Sequence, residues 1–296
     1  KMNGNSGDAG VAWPAEVWQA ITDAVVQEVA KVRIAQKVFP TAMLDDNPTE
    51  LQDEAIDFTT LSLREGRTKQ FVEIFQEFPL TSTQVGKEMT DRTCQTLSRM
   101  AAKALALAED IVIFQGRDGK LGGVDEEQIE AAGHGLLGEA SPRNADDTNP
   151  RRVSKPIDIS KLAPARPGLV YGENVFSAVV AGIAKLVAKG QAPNYALFLP
   201  TRVYADTFVA PSTASLLTTA ERIRPLVEGG FYGTGTLPDD RGLLVALGGE
   251  PTRLCLGREA NTEFERKQGR QYIFRVSERI NFVERDPRSL VRLNFN

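Results

Sequence analysis

Apolar positions along the chain follow two rhythms, one helical and one alternating. Between Thr81 and Gly116, Val85, Met89, Leu97, Met100, Ala101, Ala104, Leu105 and Ala108 recur mostly three or four residues apart, followed by Ile111, Val112 and Phe114. That spacing lines them along one face and predicts a single long helix. Alanines at 101, 102, 104, 106 and 108 raise its intrinsic helicity. Thr81 or Ser82 supplies a cap at its start, and Gly116 followed by Gly119 ends it. At ~1.5 Å per residue the span reaches roughly 50 Å, the length of a spine on which other parts hang.

The helical rhythm also appears upstream. Pro14 opens a helix through Phe39, with Trp18, Ile21, Val25, Val29 and Val32 as its stripe, facing either a core or a cavity. Pro40 to Pro48 breaks it. Residues 50–70 are charged, with weak alternation at Ile56, Phe58 and Leu61 and a turn signal at Glu65-Gly66-Arg67. They predict a two-stranded hairpin or extended loop polar enough to project from the body. Residues 71–80 read as a strand leading into the spine. Residues 117–168 form a long irregular stretch with one short helix near 126–132.

Next comes an amphipathic helix from Gly172 to Gly190, a buried-type strand over 194–200 and a short helix over 202–209. A small-residue loop covers 210–219, a further helix 221–230, and strands follow at 231–237, 242–249 and 252–257. This alternation predicts an α/β subdomain across about 168–260. The chain closes in period-two alternation (Ile273/Arg275, Ile280/Phe282, Val291/Leu293), which predicts two long strands, the last ending at the terminus.

Composition narrows the function. The 296 residues suffice for a large core and two domains or subdomains. A net charge of −4 argues against a surface built for nucleic acid or anionic membranes. No apolar run is long enough to span a bilayer, and KMNGNSGDAG lacks a signal-peptide core. Cys94 and Cys255 read as buried free thiols in a reducing cytoplasm.

Catalytic signatures are missing. The single histidine, His134, cannot complete a histidine-based metal site. The sequence holds no CxxC pair, P-loop, GxGxxG after a strand or GxSxG elbow. Glu109 and Asp110 point about 100° apart around a helix and read as a helix-end charge cluster bonded to nearby arginines. Glu263, Glu265, Glu278 and Glu284, interleaved with arginines, read as a solvated strand face or subunit contacts. No catalytic, cofactor-binding or metal-binding residue is therefore expected, and weight shifts toward a structural protein.

The order of these parts resembles the encapsulin shell proteins, the nanocompartment branch of the HK97-type capsid fold. AEVWQAITDAV resembles the family's opening helix. Glu109, Asp110, Ile113, Phe114 and Gly116 carry its E-D-x-x-I-F-x-G signature, and Tyr195, Leu197, Leu199 and Tyr204 carry its PYxLxLxxxxY segment. Residues 227–257 and 272–295 resemble its GG-containing stretch and its FRVxE ending.

The resemblance implies an α+β fold with a P-domain, in which a long spine helix lies on a β-sheet, an extended loop (the E-loop) and an α/β A-domain. The implied boundaries are an N-terminal arm at 1–13, a P-domain at 14–40, 71–167 and 258–296, an E-loop at 41–70 and an A-domain at 168–257; 122–167 is a long insert. It implies a non-enzymatic, self-assembling icosahedral shell of roughly 60 or more copies in the cytoplasm. The shell would enclose a cargo such as a peroxidase or ferritin-like protein, loaded through a C-terminal targeting peptide, without cofactors or membrane. Val29, Val38, Phe39 and Phe274 match the cargo-peptide groove, and Pro211, Ser212, Thr213 and Ser215 match the five-fold pore loop. The alternatives are a major capsid protein of a tailed phage or prophage with the same fold, which would enclose nucleic acid, and an α/β enzyme whose site carries no known motif.

Overall fold

A computed structural model describes residues 10–58, 60–119, 133–210 and 217–296. Pro14 is extended and leads into helix α1, Ala15–Val32, which buries Trp18, Ile21, Val25 and Val29 from the predicted stripe. The helix does not continue to Phe39. Arg33 takes an extended conformation, and a separate turn, α2, follows at Ala35–Val38. Strand β1 (Thr41–Met43) then precedes the predicted hairpin, β2 (Glu50–Asp57) and β3 (Ser62–Gln70). The first strand of the hairpin ends at Asp57 and the second starts at Ser62, after Leu61 with its positive φ of 53°, so Glu65-Gly66-Arg67 belongs to a strand and not to a turn. Strand β4 is Val72–Thr81.

The predicted single spine is three helices: α3 (Ser82–Gly86), α4 (Glu88–Asp91) and α5 (Thr93–Gln115). Thr81 and Gln84 form a reciprocal capping box at the start. The break falls at Arg92, which is left-handed with φ 50° and ψ 40°. Continuous helix is therefore 23 residues long, about 35 Å instead of 50. Met89, before the break, and Met100, at the edge of the α5 stripe, are exposed instead of lining the buried face. At the far end Gly116 has φ 56°, and a Cβ there would lie 2.3 Å from the carbonyl oxygen of Gly133, so only glycine fits.

The predicted helix near 126–132 lies outside the described residues. Beyond it, α6 is Gly135–Glu139, β5 is Ile157–Ile159 and α7 is Glu173–Ala188. Strand β6 (Tyr195–Pro200) is buried at all six positions, as its unbroken apolar run predicts. Helices α8 (Thr201–Asp206) and α9 (Thr219–Ile223) precede strands β7 (Gly230–Thr234), β8 (Arg241–Ala246), β9 (Thr252–Gln268), β10 (Gln271–Glu284) and β11 (Leu290–Phe295).

Two main sheets result, with strand orders β1-β9-β10-β4 and β5-β11-β8-β6-β7, besides the separate β2-β3 ribbon. The pairing fixes which sheet each strand joins. Strand β9 runs unbroken from Thr252, opposite Glu284, to Gln268, opposite Gln271, so residues 252–257 belong with the spine's sheet. The closing strand β11 pairs with β8 and β5, so 290–295 and part of the insert belong with the second sheet.

Helices α1 and α5 pack on each other and on the four-stranded sheet, with α7 on the five-stranded one. Their cores meet at Phe198 of β6, which contacts Phe39 and Phe114 at centroid distances of 5.9 and 4.9 Å. This shared aromatic joint makes the helix layer and both sheets one packed body.

Candidate functional site

The four groove residues are distributed between two aromatic groups. Val29 is buried on the last turns of α1, and Phe39, also buried, stacks on Phe198. Val38 is half-buried against the same core. Phe274 is fully buried on β10, where its ring stacks with Phe78 and with Trp13, at 5.3 Å and 9° from the latter. Trp13 also donates its indole N–H to the carbonyl of Val85 at 2.9 Å. Residues 10–13 therefore lie over Phe264 and Phe274, with Val11 buried beneath.

An open apolar groove does exist beside α1. It has a volume of about 250 Å³ and is lined by Val17, Ala20, Ile21, Met89 and Gln95, with Glu16, Glu88 and Arg92 at its polar positions. Sequence periodicity assigned Met89 to a core face; the signal that would have exposed it is Arg92, whose left-handed backbone has no signature in a non-glycine residue.

The β2-β3 ribbon is tied at its base and along its length. Asn281 donates to the carbonyl of Gln70 at 2.6 Å, Arg285 pairs with Glu54 at 2.6 Å, and the Arg288 guanidinium lies 3.5 Å over the Phe58 ring. Leu61, at the turn, is 82% exposed and Leu63 is exposed beside it. The ribbon therefore leans along residues 281–288 and leaves an apolar tip uncovered. Beneath the tip a cleft of about 500 Å³ opens toward Pro142, Arg151 and Arg152. The pore-loop positions Pro211, Ser212, Thr213 and Ser215 lie outside the described residues. Nearby, Phe208 and Leu217 are exposed.

The charged residues singled out in the sequence are more deeply placed than a helix-end cluster. The Asp110 carboxylate accepts the backbone N–H groups of Ile34 (2.9 Å) and Ala35 (2.8 Å), capping α2. Burial nonetheless raises its pKa to about 6. Glu109 is buried beside Glu278, with Arg33 at 3.7 and 3.6 Å from them. Glu284, buried and bonded by the Thr252 hydroxyl, is pushed up to about 8. By contrast, Glu73 holds Arg275 at 2.8 Å and Arg279 at 3.1 Å on the partly solvated face of the four-stranded sheet. Cys94 and Cys255 are free and buried, and burial raises both thiols. Among the described residues no group of His, Cys, Asp and Glu is arranged to hold a metal ion, and no helix is long and apolar enough to cross a membrane.

Residues 159–281 match the Linocin_M18 family model, described as an encapsulating protein for peroxidase. The whole architecture superimposes on the virus-like particle from Pyrococcus furiosus with a TM-score of 0.67, covering 95% of this chain and 100% of that one at 13% identity. The fold is that of the encapsulin and HK97-type capsid shells. The capsid of Myoviridae phage XM1 shares this capsid fold with a TM-score of 0.55, at 12% identity over 90% of this chain and 92% of that one. The SrpI encapsulin complex from Synechococcus elongatus PCC 7942 shares it with a TM-score of 0.53, at 10% identity over 87% and 85%. No curated protein sequence matches the chain. The capsid fold accounts for the two sheets, the spine and the ribbon, and the encapsulin resemblance read from the sequence motifs agrees with the family model matched over residues 159–281.

Proposed function

We propose that this chain is a non-enzymatic subunit that assembles with copies of itself into a closed icosahedral shell in the cytoplasm and encloses a cargo enzyme brought in by a C-terminal targeting peptide. The observation that carries the reading is the superposition of nearly the whole chain on the full shell subunit from Pyrococcus furiosus. The matched family model, whose description names a peroxidase as the enclosed protein, favours that class of cargo. The exposed leucines of the ribbon tip give a neighbouring copy an apolar ridge to cover. In this assembly the pore-loop positions 211–213 and 215 ring the five-fold opening. The cargo peptide lies against the inner wall whose core holds Val29, Val38, Phe39 and Phe274, with Val38 the member nearest to being open to solvent.

The likeness to the phage XM1 capsid supports a second reading, a phage or prophage capsid subunit. Electron microscopy of purified, nuclease-treated protein separates the two. Hollow closed particles that co-purify with a protein guest are expected. Particles that protect nucleic acid would establish the capsid reading, and a monomer or dimer under all conditions would overturn both.

A further inference from the structure

We propose that Arg33, Glu109 and Glu278 form a proton-operated latch that fastens the end of the first helix to the spine and to the four-stranded sheet, closed when the carboxylate pair holds a proton and loosened when it does not. The three groups come from three elements: the α1–α2 junction, α5 and β10. Both glutamates have no exposed surface, and among the described residues no oxygen of either carboxylate receives a well-formed hydrogen bond. The arginine, largely buried, stands within 4 Å of each.

Charge counting shows why a proton is needed. Two carboxylates against one guanidinium leave an uncompensated negative charge in a site without water-exposed surface, which is costly. One shared proton makes the trio neutral and lets one glutamate donate to the other. Burial raises both glutamates, Glu278 to about 7 and Glu109 well above its ordinary range; the Glu278 charge adds to the rise on Glu109, whereas Glu109, as a hydrogen-bond donor, pulls Glu278 back down. Surrounding groups do not reverse this. Asp110 on α5 and Glu259 on β9 add negative charge, Gln36 on α2 is neutral, and Lys37 acts on Asp110.

The sign follows from linkage. The folded pair binds a proton that the opened pair, at ordinary carboxylate values, releases. The latch is therefore fully closed below about pH 4.5 and weakens as pH rises above it, with local opening increasing about tenfold per pH unit for each extra proton that the folded pair holds. Arg33 directly precedes α2 and β1, which lead into the ribbon, so loosening it frees the root of that arm. Any effect on a shell rests on the proposed function, but the latch itself does not.

The test is hydrogen exchange of amides 33–39, corrected for intrinsic rates, on the purified full-length chain between pH 5 and 8, with Glu278→Gln and Glu109→Gln alongside. Wild type should lose protection at 33–39 by at least tenfold over this range, while the rest of α5 and β10 stays protected. Either glutamine variant should be at least tenfold more protected there than wild type at pH 8. Parallel pH profiles for wild type and whichever variant folds, or a loss of protection spread evenly over the chain, would overturn the latch. Neither readout depends on particle formation, so failure of the latch and failure of the shell reading are separable.

Discussion

The Glu88 carboxylate accepts the backbone N–H of Cys94 at 2.7 Å and, through its other oxygen, that of Gln95 at 3.0 Å. One side chain thus closes the exposed end of α5 after the left-handed step at Arg92. Glu88 is itself buried, so its loss also leaves those amides without a replacement acceptor. Replacing it by alanine should cost about 1–2 kcal/mol, read as a lower urea midpoint with an unchanged slope.

Lys189 donates its ammonium to the carbonyls of Asp146 and Asn149, each at 2.7 Å, and to that of Asp147 at 3.2 Å. It pins the 146–149 loop to the end of α7. A methionine keeps the apolar stem and removes the donor. Lys189→Met should raise the rate of limited proteolysis within this loop about tenfold, equivalent to roughly 1.4 kcal/mol, while far-ultraviolet circular dichroism is unchanged.

Glu284 gives a pH dependence of definite sign. Burial and the charges of Asp286 and Glu139 raise its folded value to about 8, from an ordinary value of 4.5. The stability it contributes is fully present below about pH 4.5 and is lost as pH rises through 8. Glu284→Gln should therefore flatten the fall in urea midpoint between pH 5 and pH 9. Equal slopes in variant and wild type would show that the site does not titrate in this range.

Trp13 fixes the segment that crosses Phe264 and Phe274. Trp13→Ala removes the ring stacked on Phe274 and the donor to Val85, and should cost about 2 kcal/mol. Phenylalanine at this position restores stacking but not the hydrogen bond, so its urea midpoint should fall between those of wild type and the alanine variant.

Much of the fold is legible in local pattern. The stripe of α7, the unbroken apolar run of β6 and the alternation of β10 each name their own element, because the burial that selects those residues is decided within a few turns or pleats. The spine's break was hidden because it rests on Arg92 adopting a conformation usual for glycine, stabilised by Glu88 four positions earlier. The ribbon's turn was misplaced for a related reason: Leu61 carries the positive φ, while Gly66 sits inside a strand.

Sheet membership was the other limit. The alternation of 290–295 reveals a strand, but its partners are residues 241–245 and 157–159, a choice made by tertiary pairing and not by local sequence. Among the groove candidates, Phe274 was legible as apolar but not as a ring already covered by Trp13.

Phe198 reaches out of one sheet to meet Phe39 and Phe114 beneath the other, so the subunit is riveted through its middle. A plate joined in that way does not crease along its own midline. In the proposed shell, differences of angle between neighbouring subunits would therefore be taken up at the margins, where the slender ribbon lies. Variation in particle diameter among proteins built this way should accordingly trace to the ribbon's root and length, with the riveted centre left unaltered.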